Sequence, residues 1–251
     1  MKIIAITQAR VGSSRLPAKV LQKIEGKPML MIHLERIKRS ALVMQVIVAT
    51  TQEPDADQIV AIADECGLSS FKGSTSDVLD RYYQAARSLA PDYVVRLTSD
   101  CPLLDPLLID QITAAAIENG MDYTSNTLKP FFPDGQDVEV FRFSALERAW
   151  KEASLKSERE HVSSYIWKNS SFFGNAPFSS ANYANAVDYS SIRMTVDEPR
   201  DFDTVKMLIQ HVGADRGWEE YAKYYEEHAS DMPNNTIIRN EGYSKSLTKD
   251  K

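Results

Sequence analysis

Residues 2–19 read KIIAITQARVGSSRLPAK, and this stretch decides how the fold begins. Its first part, residues 2–7, is a short apolar run typical of a buried β-strand. The part that follows contains Gly12 and Pro17 among small polar residues, which is turn chemistry without strand or helix periodicity. The chain therefore opens with a strand that ends in a long loop.

Outward from this loop, strands and helices alternate through the first half of the chain. Apolar runs predict strands at 46–50, 70–72 and 93–97, and periodic segments predict helices at 28–40, 55–66, 77–89 and 107–119. This alternation predicts a single-domain α/β fold, with a mostly parallel sheet and helices on both faces. Ligands of such folds bind beyond the carboxyl ends of the strands. The loops at 8–19 and 99–106 both follow strands, so both are expected to open on that edge.

The second half of the chain is less regular. Its patterns predict strands at 137–143 and 191–196, and helices at 144–153, 158–168, 199–211 and 218–228. Residues 241–251 form a polar C-terminal tail with little to bury. We therefore expect one domain over residues 1–240, followed by this tail.

Composition narrows the function. The chain of 251 residues is 43% hydrophobic and 25% charged, as in ordinary soluble proteins, and no apolar run approaches the roughly 18 residues of a membrane span. The first residues are too quickly polar for a signal peptide, so we expect a cytoplasmic protein without membrane insertion. The net charge of −6 argues against a nucleic-acid partner. Residues 1–24, however, hold five basic and no acidic residues, which favours binding of a small polyanion.

The basic loop is a candidate phosphate-binding loop. Gly12 would let the backbone turn tightly, so that N–H groups point at phosphate oxygens, while Arg10, Arg15 and Lys19 supply charge-assisted hydrogen bonds. The loop matches neither a Walker motif nor a dinucleotide fingerprint. A solvated basic loop is the alternative interpretation.

Two predicted strands end in acidic turns followed by proline. Asp100, after the strand at 93–97, is well placed to hold Mg²⁺ against a nucleotide phosphate, and Asp197 could complete that site. Capping of a turn or helix is the alternative for both residues, and it is the preferred interpretation for Asp105. We interpret Asp201 as a surface charge.

The basic loop, together with Ser99-Asp100-Cys101-Pro102-Leu103 and Val196-Asp197-Glu198-Pro199, resembles a known family. It is similar to the cytidylyltransferases that activate acidic sugars, such as the acylneuraminate and KDO enzymes, and most resembles their spore coat polysaccharide biosynthesis branch. The resemblance covers nearly the whole chain. It implies a Rossmann-like fold of the nucleotide-diphospho-sugar transferase type and a homodimer. It also implies Mg²⁺-dependent transfer of CMP from CTP, or another nucleotide, to a sugar or acidic sugar, with release of pyrophosphate.

The same resemblance assigns roles to residues. It divides the domain into a nucleotide-binding half at about 1–120 and a sugar-binding and closing half at about 121–240. Nucleotide-binding candidates are Ala9, Arg10, Gly12, Ser13, Arg15, Lys19, Gly73, Asp77, Arg81 and Asp100. Arg15, Lys19 and Asp100 are the expected catalytic residues, and Asp100 and Asp197 the expected Mg²⁺ ligands.

The sugar side is expected to come from the irregular second half. Residues 133–139 offer carboxylates and an amide for hydroxyl groups, and residues 158–161 offer a cation and a titratable group. The sugar-binding candidates are Asp134, Gln136, Asp137, Glu139, Arg159 and His161. Ordinary surface charge is the alternative for each of them. Glu158 and His161 have the spacing of a di-metal bundle motif, but the sequence lacks the second copy that such a site needs.

Two other functions remain open. A metal-dependent glycosyltransferase would use an Asp-x-Asp motif, and residues 55–57 read Asp-Ala-Asp. Their position at a predicted helix start makes capping the preferred interpretation. A non-catalytic nucleotide- or sugar-binding module is the second alternative, although it would not need both acidic strand ends and the full basic loop.

Overall fold

The computed structural model describes residues 1–13, 15–237 and 250. Its strands are β1 Ile3–Gln8, β2 Lys23–Ile24, β3 Lys27–Pro28, β4 Gln45–Thr51, β5 Ser69–Gly73, β6 Tyr93–Thr98, β7 Tyr123–Ser125, β8 Glu139–Arg142 and β9 Ser180–Asn182. Its helices are α1 Met29–Ile37, α2 Asp57–Glu65, α3 Val78–Arg87, α4 Pro106–Asn119, α5 Phe143–Glu152, α6 Lys156–Glu160, α7 Ser164–Lys168, α8 Pro199–Val212 and α9 Trp218–Glu227.

Seven of the strands form one sheet in the order β5-β4-β1-β6-β8-β7-β9. The first four of these are parallel, β8 is antiparallel to β6 and β7, and β9 is parallel to β7. Strands β2 and β3 form a separate antiparallel pair after the basic loop. The predicted single α/β domain with a mostly parallel sheet is confirmed.

Strand β1 shows why helices cover both faces of the sheet. Ile3 and Ala5 pack into one apolar layer, whereas Ile4 and Ile6 pack into the other. Side chains alternate across a strand, so an unbroken apolar run must be covered on both sides. Helices α1, α2, α4, α8 and α9 cover the first face, and α3, α5 and α7 cover the second.

Three predictions about elements change. The helix predicted at 158–168 is broken into α6 and α7 at Val162, whose φ is +56°. The strand predicted at 191–196 is absent from the described sheet, and Arg193 makes only an isolated bridge with Asp134. The polar tail predicted at 241–251 lies outside the described residues, except for Asp250.

Of the acidic helix starts, Asp105 caps its helix as predicted, whereas Asp55 and Asp57 lie at the start of theirs without a side-chain capping hydrogen bond among the described residues. Asp105 caps α4 by accepting the amide of Leu107 at 2.8 Å, and it also accepts the amide of Trp218 at 2.9 Å. Asp55 and Asp57 lie at the start of α2, where carboxylates favour the helix dipole. None of the described helices is long and apolar enough to cross a membrane.

Candidate active site

Two adjoining cavities open where the loops after β1 and β6 meet the segment before α8. The larger has a volume of about 860 Å³ and the smaller about 440 Å³. Five residues line both, and they therefore form the wall between the cavities: Arg15, Thr98, Asp100, His161 and Asp197. The predicted convergence of the basic loop with the two acidic turns is confirmed.

Lys19 connects the three segments. Its Nζ lies 3.2 Å from Oδ2 of Asp100, 3.0 Å from Oδ1 of Asp197 and 2.7 Å from the carbonyl oxygen of Val196. Burial lowers the pKa of Lys19, but the charges of Asp100 and Asp197 and their hydrogen bonds raise it above its ordinary value of 10.5. Lys19 is therefore a permanent cation between the two aspartates.

Asp100 is ionised at any pH at which the protein would work. Burial raises the pKa of its carboxyl, but the charge of Lys19 and hydrogen bonds from Thr98 and Lys19 lower it to about 2. The backbone carbonyl of Asp100 also accepts the amide of Val196 at 2.8 Å and the hydroxyl of Thr195 at 3.3 Å. These bonds fix the turn after β6 against the segment that carries Asp197.

Arg193 forms a buried ionic cluster beneath this wall. Its Nη1 lies 2.6 Å from Oδ2 of Asp134, and its Nη2 lies 3.5 Å from Oδ2 of Asp197. Nε and Nη2 bind both oxygens of Asp201 at 2.8 and 3.0 Å. The prediction that Asp201 is a surface charge is wrong: the residue is fully buried and also accepts the amides of Asp197 and Glu198. Arg193 and Asp201 thus hold the acidic turn in place.

The donor set fits a metal ion that is shared with a substrate. Asp100 and Asp197 both bind one ammonium nitrogen, so their carboxylates lie close together. One or two carboxylates with substrate phosphates and water are the usual Mg²⁺ ligands. Within the described ranges, no group of three or more His, Cys, Asp or Glu residues could hold a metal by itself. The arrangement fits Mg²⁺ brought together with a nucleotide better than an all-protein metal centre.

The basic loop contributes side chains to the larger cavity. Arg10, Ser13, Arg15 and Lys19 line it, and Nη2 of Arg15 lies 2.9 Å from Oδ1 of Asp197. Arg10 is exposed, so its guanidinium can reach a ligand. The cations of the loop therefore line the larger cavity, and some of them also contact the acidic pair of Asp100 and Asp197.

The backbone of this loop turns tightly at Gly12, as predicted, but without a positive φ. The amide of Ser13 donates to the carbonyl of Val11 at 2.9 Å, which closes a three-residue turn around Gly12. The left-handed residue is Ala18, with a φ of +51° and an amide 3.2 Å from the carbonyl of Val11. Ala9 lines the cavity, but its amide is bonded to the carbonyl of Ala49. Its N–H is thus part of the sheet, not free for phosphate.

Arg81 supports the loop after β5 through hydrogen bonds to its backbone. It is almost fully buried, and its Nε and Nη2 donate to the carbonyl of Ser74 at 2.9 and 2.7 Å. Gly73 permits this approach, because a Cβ there would lie 2.8 Å from Cγ of Arg81 and 2.9 Å from the ring of Phe71. Asp77 caps α3 by accepting the amide of Asp80 at 2.8 Å. Arg81 and Asp77 both line the larger cavity, so the segment predicted to hold the nucleoside borders this cavity.

Most sugar-binding candidates line the smaller cavity, namely Asp134, Asp137, Glu139 and His161. Two candidates do not. Gln136 is fully buried and binds the backbone of Asp105 and Leu103 through both amide atoms at 2.9 Å, so its predicted sugar contact is wrong. Arg159 lies on the larger cavity and binds Asp77 at 2.6 Å. It therefore lies with the nucleotide-binding candidates and not with the other sugar-binding candidates.

Three residues of the site escaped the sequence analysis. Arg193 is described above, and Arg96 lines the smaller cavity, pairs with Glu139 and leaves a buried Nε without a partner among the described residues. Both are arginines inside otherwise apolar strand-like runs, which is a signal that could have identified them.

The third residue is His33, on α1. Its Nδ1 lies 2.9 Å from the carbonyl oxygen of Cys101 and its Nε2 lies 3.0 Å from the hydroxyl of Thr7. A carbonyl only accepts, so Nδ1 carries the proton and Nε2 accepts from Thr7. Burial lowers the pKa of His33 to about 4, and the neutral ring braces the turn that carries Asp100.

Comparison with known proteins agrees with this geometry. The sequence model of the family described as "Cytidylyltransferase" matches residues 4–236. The spore coat polysaccharide biosynthesis protein SpsF of Bacillus subtilis is 30% identical over 221 residues, which cover 84% of this chain and 88% of SpsF. A 3-deoxy-manno-octulosonate cytidylyltransferase of Trichlorobacter lovleyi is 40% identical over 111 residues, or 44% of this chain and 43% of that enzyme.

A solved structure extends the match to the fold. The structure of a cytidylyltransferase from Leptospira borgpetersenii superposes with a TM-score of 0.87 at 32% identity, and covers 95% of this chain and 100% of that one. The protein is thus a nucleotidyltransferase in fold and site. The chain belongs to the cytidylyltransferase family, and the resemblance drawn from its motifs is confirmed.

Proposed function

We propose that this protein transfers CMP from CTP to a hydroxyl group of a sugar or acidic sugar, with Mg²⁺, and releases pyrophosphate. One observation carries the proposal: a cation-lined cavity and a carboxylate-lined cavity share a wall that contains Asp100 and Asp197. In a nucleotidyl transfer, two substrates must meet at the α-phosphorus. A shared wall with metal-type ligands is the geometry that such a meeting requires.

The larger cavity is the proposed nucleotide site. Its walls carry Arg10, Arg15, Lys19 and Arg159, which suit a polyanion. The family description supports cytosine as the base of that nucleotide. The loop held by Arg81 is the proposed support of the nucleoside, because it lies on the same cavity.

The smaller cavity is the proposed sugar site. Asp134, Asp137 and Glu139 offer acceptors for sugar hydroxyls, and the guanidinium of Arg96 lies beside them, paired with Glu139. SpsF is named for polysaccharide biosynthesis, and the Trichlorobacter enzyme is named for 3-deoxy-manno-octulosonate, so both support a sugar acceptor. We place the reaction in surface or spore coat polysaccharide biosynthesis, in the cytoplasm.

The residues of this chain align the substrates and balance charge. Arg15 and Lys19 stabilise the negative charge that develops on the departing pyrophosphate. The ionic cluster of Arg193 and Asp201, together with His33, keeps Asp100 and Asp197 in position before substrate arrives. Mg²⁺ held by these two aspartates would neutralise phosphate charge during the transfer.

The test is pyrophosphate release. The protein, with Mg²⁺, is mixed with each of the four nucleoside triphosphates and a panel of neutral and acidic sugars, and pyrophosphate is measured by a coupled assay. We expect release with CTP that depends on the acceptor and on Mg²⁺. Transfer from a nucleotide-sugar with release of a nucleoside diphosphate would favour the glycosyltransferase instead. Binding without any turnover would favour a non-catalytic module.

A further inference from the structure

His161 occupies a distinctive place in the site. It follows α6 at the wall between the two cavities and lines both of them. The acceptor hydroxyl and the α-phosphorus of the proposed reaction would have to meet at this wall. A side chain that reaches both cavities is therefore positioned to contact the reacting atoms.

The backbone next to His161 is strained. Val162 is β-branched and has a φ of +56°, a conformation that such residues rarely adopt. The amide of Ser163 donates to the carbonyl of His161 across it at 2.5 Å, which closes a three-residue turn. Val162 is fully buried in the apolar layer that includes Leu146 and Ile166, so packing holds the strained turn. Strain maintained by packing is typical of functional sites, and this strained turn directly follows His161.

Among the described residues, the shared wall offers few proton acceptors. Arg15 is a cation and Thr98 is a hydroxyl. Asp100 and Asp197 are the proposed metal ligands, and both are already bound by Lys19. An imidazole has an ordinary pKa of about 6.5, which suits proton transfer near neutral pH. Of the five wall residues, His161 is the one whose chemistry fits a general base.

We propose that His161 is the general base that activates the acceptor hydroxyl, an inference that rests on the proposed CMP transfer. The hydroxyl proton moves to an imidazole nitrogen of His161 as the hydroxyl oxygen bonds to the α-phosphorus. The bond from the α-phosphorus to the oxygen that bridges it to the β-phosphorus breaks, and pyrophosphate leaves with that electron pair. The imidazolium then returns its proton to solvent.

Charged groups of both signs surround His161. The helix that precedes it, α6, carries Lys156, Glu158, Arg159 and Glu160. The carboxylates of other elements that line its cavities are Asp77, Asp100, Asp134, Asp137, Glu139, Asp197 and Glu198, and Asp250 interacts with it electrostatically. The cations of other elements are Arg10, Arg15, Lys19, Arg81, Arg96 and Arg193. The carboxylates would stabilise the imidazolium that forms on proton transfer, and the cations would oppose it.

The experiment compares His161→Gln with His211→Gln, a matched control on the exposed side of α8 whose Nδ1 binds the carbonyl of Met207. Acceptor-dependent pyrophosphate release is measured from pH 5 to 9. In the wild type we expect kcat to fall below neutral pH as the base is protonated. In His161→Gln we expect kcat to drop by about 100-fold or more and this acidic limb to disappear. His33 cannot account for the limb, because burial lowers its pKa to about 4.

A second variant separates catalysis from substrate positioning. In His161→Ala, added imidazole should restore a part of kcat, because a small base can occupy the vacated space. A raised KM for the acceptor with an unchanged acidic limb, or no rescue by imidazole, would overturn the general-base role. A wild type that releases no pyrophosphate with any acceptor would overturn the proposed function and this role together. An active wild type with an unaltered His161→Gln profile would overturn this role alone.

Discussion

Nζ of Lys19 lies 3.2 Å from Oδ2 of Asp100, although 81 positions separate the two residues in sequence. The lysine comes from the loop after β1 and the aspartate from the turn after β6, and these strands are neighbours in the sheet. The ion pair therefore links the two loops at the centre of the sheet's carboxyl edge. A triphosphate that enters the larger cavity would compete with Asp100 for this ammonium group, which couples nucleotide binding to the exposure of the metal-type carboxylates.

The two wall aspartates are expected to be needed for turnover and not for folding. We predict that Asp100→Asn and Asp197→Asn each lower kcat by at least about 100-fold, as on loss of a charge-stabilising group. Asn keeps the shape of the side chain but loses the ion pair with Lys19, so both variants should still fold, with a thermal unfolding midpoint somewhat below that of the wild type. Steady-state kinetics at varied Mg²⁺, beside thermal unfolding, measures both quantities.

Asp215→Asn is the matched control for these variants. Asp215 is 79% exposed and pairs only with Arg39 among the pairs described, so its loss should leave kcat unchanged. Near-normal Mg²⁺-dependent turnover in both wall variants would remove the metal role. Unfolding of either variant would instead indicate that its carboxylate serves as a structural cap.

The buried pair of Arg193 and Asp201 makes the stability of the fold depend on pH in the acidic range. Burial raises the pKa of Asp201, but hydrogen bonds from Arg193 and Asn234 lower it below its ordinary value of 3.8. The stability from this lowered pKa is complete above about pH 4 and is lost as the pH falls further. We predict that Asp201→Asn lowers the free energy of unfolding at pH 7 by about 2 kcal/mol. The variant should therefore unfold at a lower temperature than the wild type.

Thermal unfolding from pH 7 down to pH 3 checks this prediction. The difference between the wild type and Asp201→Asn should shrink below about pH 4, because the carboxyl of the unfolded wild-type chain then binds a proton that the folded state binds only at lower pH. Asp203→Asn, which changes a neighbouring carboxylate outside the Arg193 cluster, should follow the wild type at every pH. A constant difference across the whole range would mean that Asp201 acts through packing and not through its charge.

The elements of the sheet core follow from local pattern, whereas the ionic cluster does not. The apolar runs of β1, β4 and β6 and the caps of α4 were predictable, because each depends on residues close in sequence. The pairing of Arg193 with Asp134 joins residues 59 positions apart, across an isolated bridge and not a strand. Alternation alone suggested a strand there. Contacts between irregular segments leave no periodic signal, so the support beneath the site could not be predicted.

Gln136 and Arg81 show a similar limit. The resemblance assigns Arg81 to the nucleotide, and the polar turn at 133–139 suggests Gln136 for the sugar. Gln136 instead binds the backbone of neighbouring loops, and Arg81, although it lines the larger cavity, donates to the backbone carbonyl of Ser74. The sequence located the loops of the site correctly. It did not distinguish side chains that face the cavity from side chains that brace its walls.

Gly73 is predicted to be irreplaceable because of Arg81. In Gly73→Ala, the new Cβ would lie 2.8 Å from Cγ of Arg81, so either the strand or the arginine must shift. We expect a loss of about 1–3 kcal/mol of stability, together with a raised KM for CTP as the loop after β5 moves. Denaturant unfolding and nucleotide kinetics measure these effects. Gly12→Ala is the control: a Cβ there meets open space, so stability should be unchanged. Equal stability of the two variants would show that Gly73 is not needed for this close approach.

Arg15 is predicted to act through the geometry of its guanidinium group. Its Nη2 already bonds to Asp197 at 2.9 Å, and its remaining donors line the larger cavity. A lysine cannot reproduce a planar, directed set of donors, so Arg15→Lys should lower kcat/KM for CTP by about 1–3 kcal/mol, or roughly 5- to 150-fold. Lys23→Arg is the control, since Lys23 is exposed on β2 and lines neither cavity. It should change neither kinetics nor thermal stability, because isolated surface charges contribute about 0–1 kcal/mol. Wild-type kcat/KM in Arg15→Lys, measured at varied CTP, would remove the phosphate-binding role from Arg15.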